Sequence, residues 1–134
     1  MANYALLARD MMQTELAVIS GEASVEVAAA HMRREGVRSL IVHYPGHPEV
    51  IGIVTYTDIV CKVLAEGLHP ATVRVQQIAA AQAQAILESA DVQSVARIFR
   101  EAGFGHAPVV DAHGTLVGVI SMTDLVTEAI TEPD

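Results

Sequence analysis

Apolar residues recur along the chain at Val25, Ala28, Ala29 and Met32, the i, i+3, i+4, i+7 spacing of one helix face. The spacing predicts a helix over residues 24–35. Ser24 is placed to cap its start and Gly36 to end it. The same pattern returns 67 residues later at Val92, Val95, Ala96 and Phe99, with Asp91 as the cap and Gly103 as the stop. Val25/Val92, Ala29/Ala96, Arg33/Arg100 and Gly36/Gly103 are identical pairs at that offset. A register kept this well marks an internal duplication.

The segments after each helix also match. Residues 39–43 and 106–110 read as short buried strands, each followed by a turn rich in Pro, Gly, His or Asp. Residues 50–55 and 116–121 read as the next strands, and helices follow from Thr57 and Thr123. The second turn is one residue shorter, a change that turns absorb. Apolar segments at 17–19 and 85–87 precede each block, after short helices near 6–12 and 75–80. Each repeat therefore reads helix, strand, helix, strand, strand, helix. We place the first repeat at 8–66, a linker at 67–74 and the second repeat at 75–130. The Ala/Gln run at 79–85 is of low complexity. A unit of about 60 residues is too small to bury its core well alone. The two copies are therefore expected to pair about a pseudo-two-fold axis.

Composition narrows the classes. Over 134 residues the hydrophobic fraction is 51%, with no Trp, so the core must be aliphatic. The formal net charge of -8 repels phosphate-rich surfaces, which argues against nucleic acid and anionic membranes as partners. The single cysteine, Cys61, excludes an intrachain disulfide and reads as a packing residue. The N-terminus lacks the basic-then-apolar pattern of a secretory signal, so a cytoplasmic location is expected.

The duplicated feature with chemical content is Gly52-Ile53-Val54-Thr55-Tyr56-Thr57-Asp58 and Gly118-Val119-Ile120-Ser121-Met122-Thr123-Asp124. Each runs from a strand into a helix start. Thr57 and Thr123 are read as N-caps and the aspartates as first helical residues. Helix N-termini present free N–H groups and partial positive charge, and so favour phosphate. The hydroxyls can add donors, and an aspartate can accept hydrogen bonds from a ribose diol. Gly52 and Gly118 would admit a ligand or backbone close to the strand. For a single copy ordinary capping is the better account; a glycine and an extra hydroxyl kept in both copies favour binding.

With these motifs, and with the Ala107-Pro108-Val109-Val110 strand, nearly the whole chain resembles the tandem CBS domain family, named after cystathionine β-synthase. The resemblance implies an α+β fold of two β-α-β-β-α repeats packed through their sheets, in a stand-alone CBS pair. It implies a regulatory, non-catalytic module that binds adenosine-containing ligands (AMP, ADP, ATP or S-adenosylmethionine) in clefts between the repeats, with AMP or ATP favoured. It implies no obligatory cofactor, a disc-like homodimer, and output to an effector protein whose identity the sequence does not name. Carried over, one cleft uses Ser121, Thr123 and Asp124 with backbone around Ala17, Val37, Arg38 and Ser39. The other uses Thr55, Thr57 and Asp58 with backbone around Gln84, Phe104, Gly105 and His106. Arg38 and His106 lie near where the family places phosphate-binding cations. The first repeat departs from the pattern with Ile41 where the second has Pro108.

Other chemistries find little support. The six histidines form no i, i+4 metal pair, and no nucleophile elbow or Walker loop is present. No catalytic residue and no metal ligand is assigned. The competing reading is a structural dimerisation module with empty clefts.

Overall fold

A computed structural model describes residues 1–81 and 83–131; Gln82, within the Ala/Gln run, lies outside the described residues. Among the described residues, six helices, α1 to α6, and six strands, β1 to β6, follow the repeat order read from the sequence. They are α1 (Ala8–Met11), β1 (Val18–Ser20), α2 (Val25–Glu35), β2 (Ser39–His43), β3 (Ile51–Thr55), α3 (Tyr56–Ile59), α4 (Val75–Ile78), β4 (Ile86–Leu87), α5 (Val92–Ala102), β5 (His106–Val110), β6 (Leu116–Ser121) and α6 (Met122–Ala129). One π-helical turn, Val60–Leu64, continues α3. A short 3₁₀ turn, Pro70–Thr72, lies within 67–74 and is followed by buried Val73.

The duplicated helices stand as their spacing predicts. Ser24 caps α2 by accepting from the Val27 N–H, and Asp91 caps α5 by accepting from the Ser94 N–H at 2.9 Å. Gly36 and Gly103 end them at φ 68° and 72°, a left-handed conformation that a side chain would strain. Val25, Ala28 and Met32 are buried on α2, and Val92, Val95 and Phe99 on α5.

Each half holds a three-stranded mixed sheet. In β1-β2-β3 and β4-β5-β6 the first pair is parallel and the second antiparallel. The parallel pairs differ, and Pro108 explains why. In the first sheet the Ile41 N–H donates to the Ala17 carbonyl at 2.9 Å, and three residues of β1 pair with β2. Pro108 stands at the position of Ile41 and has no N–H to give. Only Ile86 and Leu87 pair with β5.

The chain divides into two compact units, Leu16–Ala83 and Met1–Glu15 with Gln84–Asp134. The N-terminal segment thus belongs with the second sheet. Gln13 bridges to Val119, with reciprocal N–H to carbonyl bonds of 2.8 and 3.0 Å. In the other unit Ala80 bridges to Ile53 with 3.1 and 3.0 Å bonds. Each unit has its own core, an aliphatic one around Val25, Met32, Leu40 and Val54, and a mainly aliphatic one around Met11, Ile86, Val95 and Ile120 that also takes in Phe99. Cys61, read as a packing residue, is exposed, because it falls on the outer side of the π-helical turn.

Candidate functional site

Both candidate turns start where an antiparallel hairpin ends. Thr55 lies opposite Ser39, and Ser121 opposite His106. The first helical N–H of each turn is tied to the loop before the central strand: Tyr56 donates to the Arg38 carbonyl at 3.1 Å, and Met122 to the Gly105 carbonyl at 2.9 Å. Within one unit this brings Arg38 and Ser39 to Thr55, Thr57 and Asp58. Within the other it brings Gly105 and His106 to Ser121, Thr123 and Asp124.

The capping differs from the sequence expectation. The caps are Thr55 and Ser121, and the aspartates are the third helical residues. Thr55 Oγ1 accepts the Asp58 N–H at 3.3 Å, while Asp58 Oδ2 accepts the Thr55 N–H at 2.9 Å and its hydroxyl at 3.2 Å. In the second turn the corresponding distances are 3.2, 2.9 and 3.1 Å. A reciprocal box needs the acid three positions after the hydroxyl. Thr57 and Thr123 sit one residue from the acid and cannot close it. The box uses the third helical N–H, and the loop carbonyl takes the first. These bonds leave the N–H and hydroxyl of exposed Thr57 and Thr123 as the donors each turn does not spend on itself.

The second carboxylate oxygen is where the turns part. Asp58 Oδ1 lies 3.2 Å from Lys62 Nζ, which also donates to the Ile78 carbonyl at 2.9 Å. Asp124 Oδ1 accepts from the Gln13 amide at 3.0 Å. Neither Lys62 nor Gln13 was singled out from the sequence. Lys62 carries a signal, since an acid followed by a base at i+4 is a favoured helical pair. Gln13 carries none, because it arrives from a segment 111 residues away.

The remaining candidates have local roles. The Ala17 carbonyl is engaged by Ile41, and the Val37 N–H donates to the Met32 carbonyl at 3.0 Å, closing α2. Pro108 makes no bond to Gln84 equivalent to the one Ile41 makes to Ala17, and Gln84 is exposed. Phe104 packs edge-on against Phe99 at 6.0 Å between ring centres. The motif glycines are approached by the protein itself. A Cβ on Gly118 would lie 2.8 Å from the Gln13 carbonyl oxygen and 2.6 Å from Met12 Sδ, and one on Gly52 would meet the Tyr44 ring. Close approach is thus the reason for both glycines, with backbone and side chains of the same unit as the approaching groups.

Among the described residues no group of three His, Cys, Asp or Glu side chains is placed to hold a metal ion. No described helix is long and apolar enough to cross a membrane.

Comparison with known proteins agrees with this architecture. The CBS domain profile matches residues 8–65 and 75–130. An uncharacterized protein of Methanopyrus kandleri is 32% identical over 111 residues, which is 81% of this chain and 56% of that protein; the chain thus spans little more than half of that relative. The crystal structure of a hexameric CBS-CP12 protein from bloom-forming cyanobacteria superposes with a TM-score of 0.87 at 37% identity, covering 95% of this chain and 70% of that one. A CBS domain protein from Pyrobaculum aerophilum, complexed with AMP, superposes at 0.80 with 22% identity over 92% of each chain. The chain therefore belongs to the CBS domain family and carries two copies of that domain.

Proposed function

We propose that this protein is a non-catalytic regulatory module that binds an adenosine-containing ligand, AMP or ATP in the first instance, at its strand-to-helix turns. The observation that carries the reading is the repeated geometry of Thr55–Asp58 and Ser121–Asp124. In both, a capping box fixes the carboxylate through one oxygen and leaves the second to face an exchangeable partner. Beside it lie an N–H and a threonine hydroxyl that the cap does not use. A rigid acceptor next to unspent donors suits a ribose diol and a phosphate oxygen. The AMP complex of the Pyrobaculum relative supports the ligand class. A ligand held at such turns acts by preferring one arrangement of repeats or protomers over another, and the output passes to an effector protein.

Calorimetric titration with AMP, ADP, ATP and S-adenosylmethionine tests this. Saturable binding of one of them is expected, and at ten times its Kd it stabilises the fold by about 1.4 kcal/mol. A flat titration at millimolar ligand overturns the proposal.

A second reading, an assembly module, is favoured by a different observation. Val92, Phe99, Met122, Leu125, Val126 and Ile130 help line an apolar groove of about 420 Å³ between α5 and α6. Met122 and Val126 are 49% and 61% exposed. The first unit likewise exposes Tyr56, Val60 and Leu64. Exposed apolar residues grouped in this way mark protein contacts, and the cyanobacterial relative is a hexamer. This reading expects a homodimer or larger assembly whose mass, from sedimentation, is indifferent to nucleotide.

A further inference from the structure

The capping boxes are alike, but the groups holding the outer oxygen of each aspartate differ in charge. Asp58 Oδ1 faces the Lys62 ammonium at 3.2 Å. That ammonium is held from its other side by the Ile78 carbonyl at 2.9 Å. The pair is an i, i+4 acid–base contact on the turn leading out of α3, and the Asp58 side chain is only 16% exposed. Asp124 Oδ1 faces a neutral amide, Gln13 Nε2, at 3.0 Å, and Gln13 is exposed. At the position that corresponds to Lys62 the second repeat carries Glu128, also exposed. The second turn therefore lacks the ammonium.

A diol that donates to the outer oxygen of either carboxylate competes with the group already there, sharing that oxygen or displacing its partner. At Asp124 it competes with a neutral donor. At Asp58 it competes with a charge-assisted bond, roughly twice as strong as a neutral one, from an ammonium that the Ile78 carbonyl holds in place. The two turns, alike in backbone, are thus unequal as acceptors.

Resting on the reading of these turns as nucleotide sites, we infer that Lys62 locks the Asp58 turn, so that the Ser121–Asp124 turn alone accepts the ligand. Lys62 is in this sense a specificity-determining residue that sets how many ligands one chain takes. It acts on the ligand only by occupying the carboxylate the ligand needs.

AMP titration into Lys62→Met tests the lock, since methionine keeps the apolar stem and removes the charge. Wild type is expected to bind one AMP per chain, and Lys62→Met two. Adding Asp58→Asn to Lys62→Met should return the count to one. In the wild-type background Asp124→Asn should weaken AMP binding by about tenfold or more. Thermal melts of each variant confirm that it is folded. A count that stays at one in Lys62→Met, or an affinity that falls there, overturns the lock while leaving nucleotide binding intact. The second outcome would make Lys62 a ligand contact. Two sites in wild type would also overturn it. Absence of binding to wild type and to Lys62→Met alike overturns the nucleotide reading itself.

Discussion

Replacing Gly118 by alanine separates a glycine kept for packing from one kept for ligand. The added Cβ would stand 2.8 Å from the Gln13 carbonyl oxygen and 2.6 Å from Met12 Sδ. The methionine can swing aside. The carbonyl cannot, because it accepts the Val119 N–H at 3.0 Å while Gln13 donates back at 2.8 Å. The N-terminal segment must therefore lift from β6. Overpacking of this kind costs about 1–3 kcal/mol, and weakening the two bridge bonds adds about 1 kcal/mol. The sum is about 3 kcal/mol, or a fall in Tm of roughly 10 °C for a chain of this size. Gly52→Ala should cost less, because the group it meets is the far end of the Tyr44 ring. Differential scanning calorimetry of both variants, with AMP titrated into each, makes the measurement. An unchanged Tm in Gly118→Ala together with lost binding would refute the packing argument and return the glycine to the ligand.

Thr55→Ala and Ser121→Ala each remove a cap hydroxyl that is donor and acceptor at once, and should lower stability by about 1 kcal/mol in urea unfolding. Tyr44 Oη is buried and has no hydrogen-bond partner among the described residues, and burial raises its pKa. Tyr44→Phe should therefore leave Tm unchanged or raise it; a clear fall would mean the hydroxyl is satisfied in solution. Asp91 and Asp111 have pKa values lowered, first of all by the backbone N–H of Ser94 and Thr115 respectively. A lowered folded pKa gives stability that is complete above the ordinary aspartate range, about pH 4, and is lost as pH falls through the lower folded value. Asp91→Asn should flatten the acid limb of stability against pH and leave its slope near neutrality unchanged.

The helices α2 and α5 were legible because burial on one face imposes a period, and Ser24, Asp91, Gly36 and Gly103 stand where that period begins and stops. The caps of α3 and α6 were misplaced by two residues. Two hydroxyls precede each aspartate, and only the reciprocal spacing, three residues from Thr55 to Asp58 and from Ser121 to Asp124, tells them apart. The placement of the first fifteen residues with the second sheet was not legible. It rests largely on backbone bonds, such as those of Gln13 with Val119, Ala8 with Ala90 and Arg9 with Glu88, and backbone bonds leave no residue-type signature.

The same distinction explains why the duplication could be read and the inequality of its two turns only half read. Duplication copies local relations, such as strand end, cap hydroxyl, acid at the third helical residue and glycine within the strand. These recur in both units with distances that agree to about a tenth of an ångström. The partner of the outer carboxylate oxygen lies outside the copied segment's control. In the first turn it is four residues on, close enough for sequence to announce it, and in the second turn Glu128 stands at that position. In the second turn the partner is Gln13, which reaches Asp124 from the N-terminal segment that Gly118 lets run against β6. Gly118→Ala should therefore disturb the Asp124 turn as well as the fold. The glycine that looked like an opening for ligand governs the ligand-facing oxygen through the segment it admits.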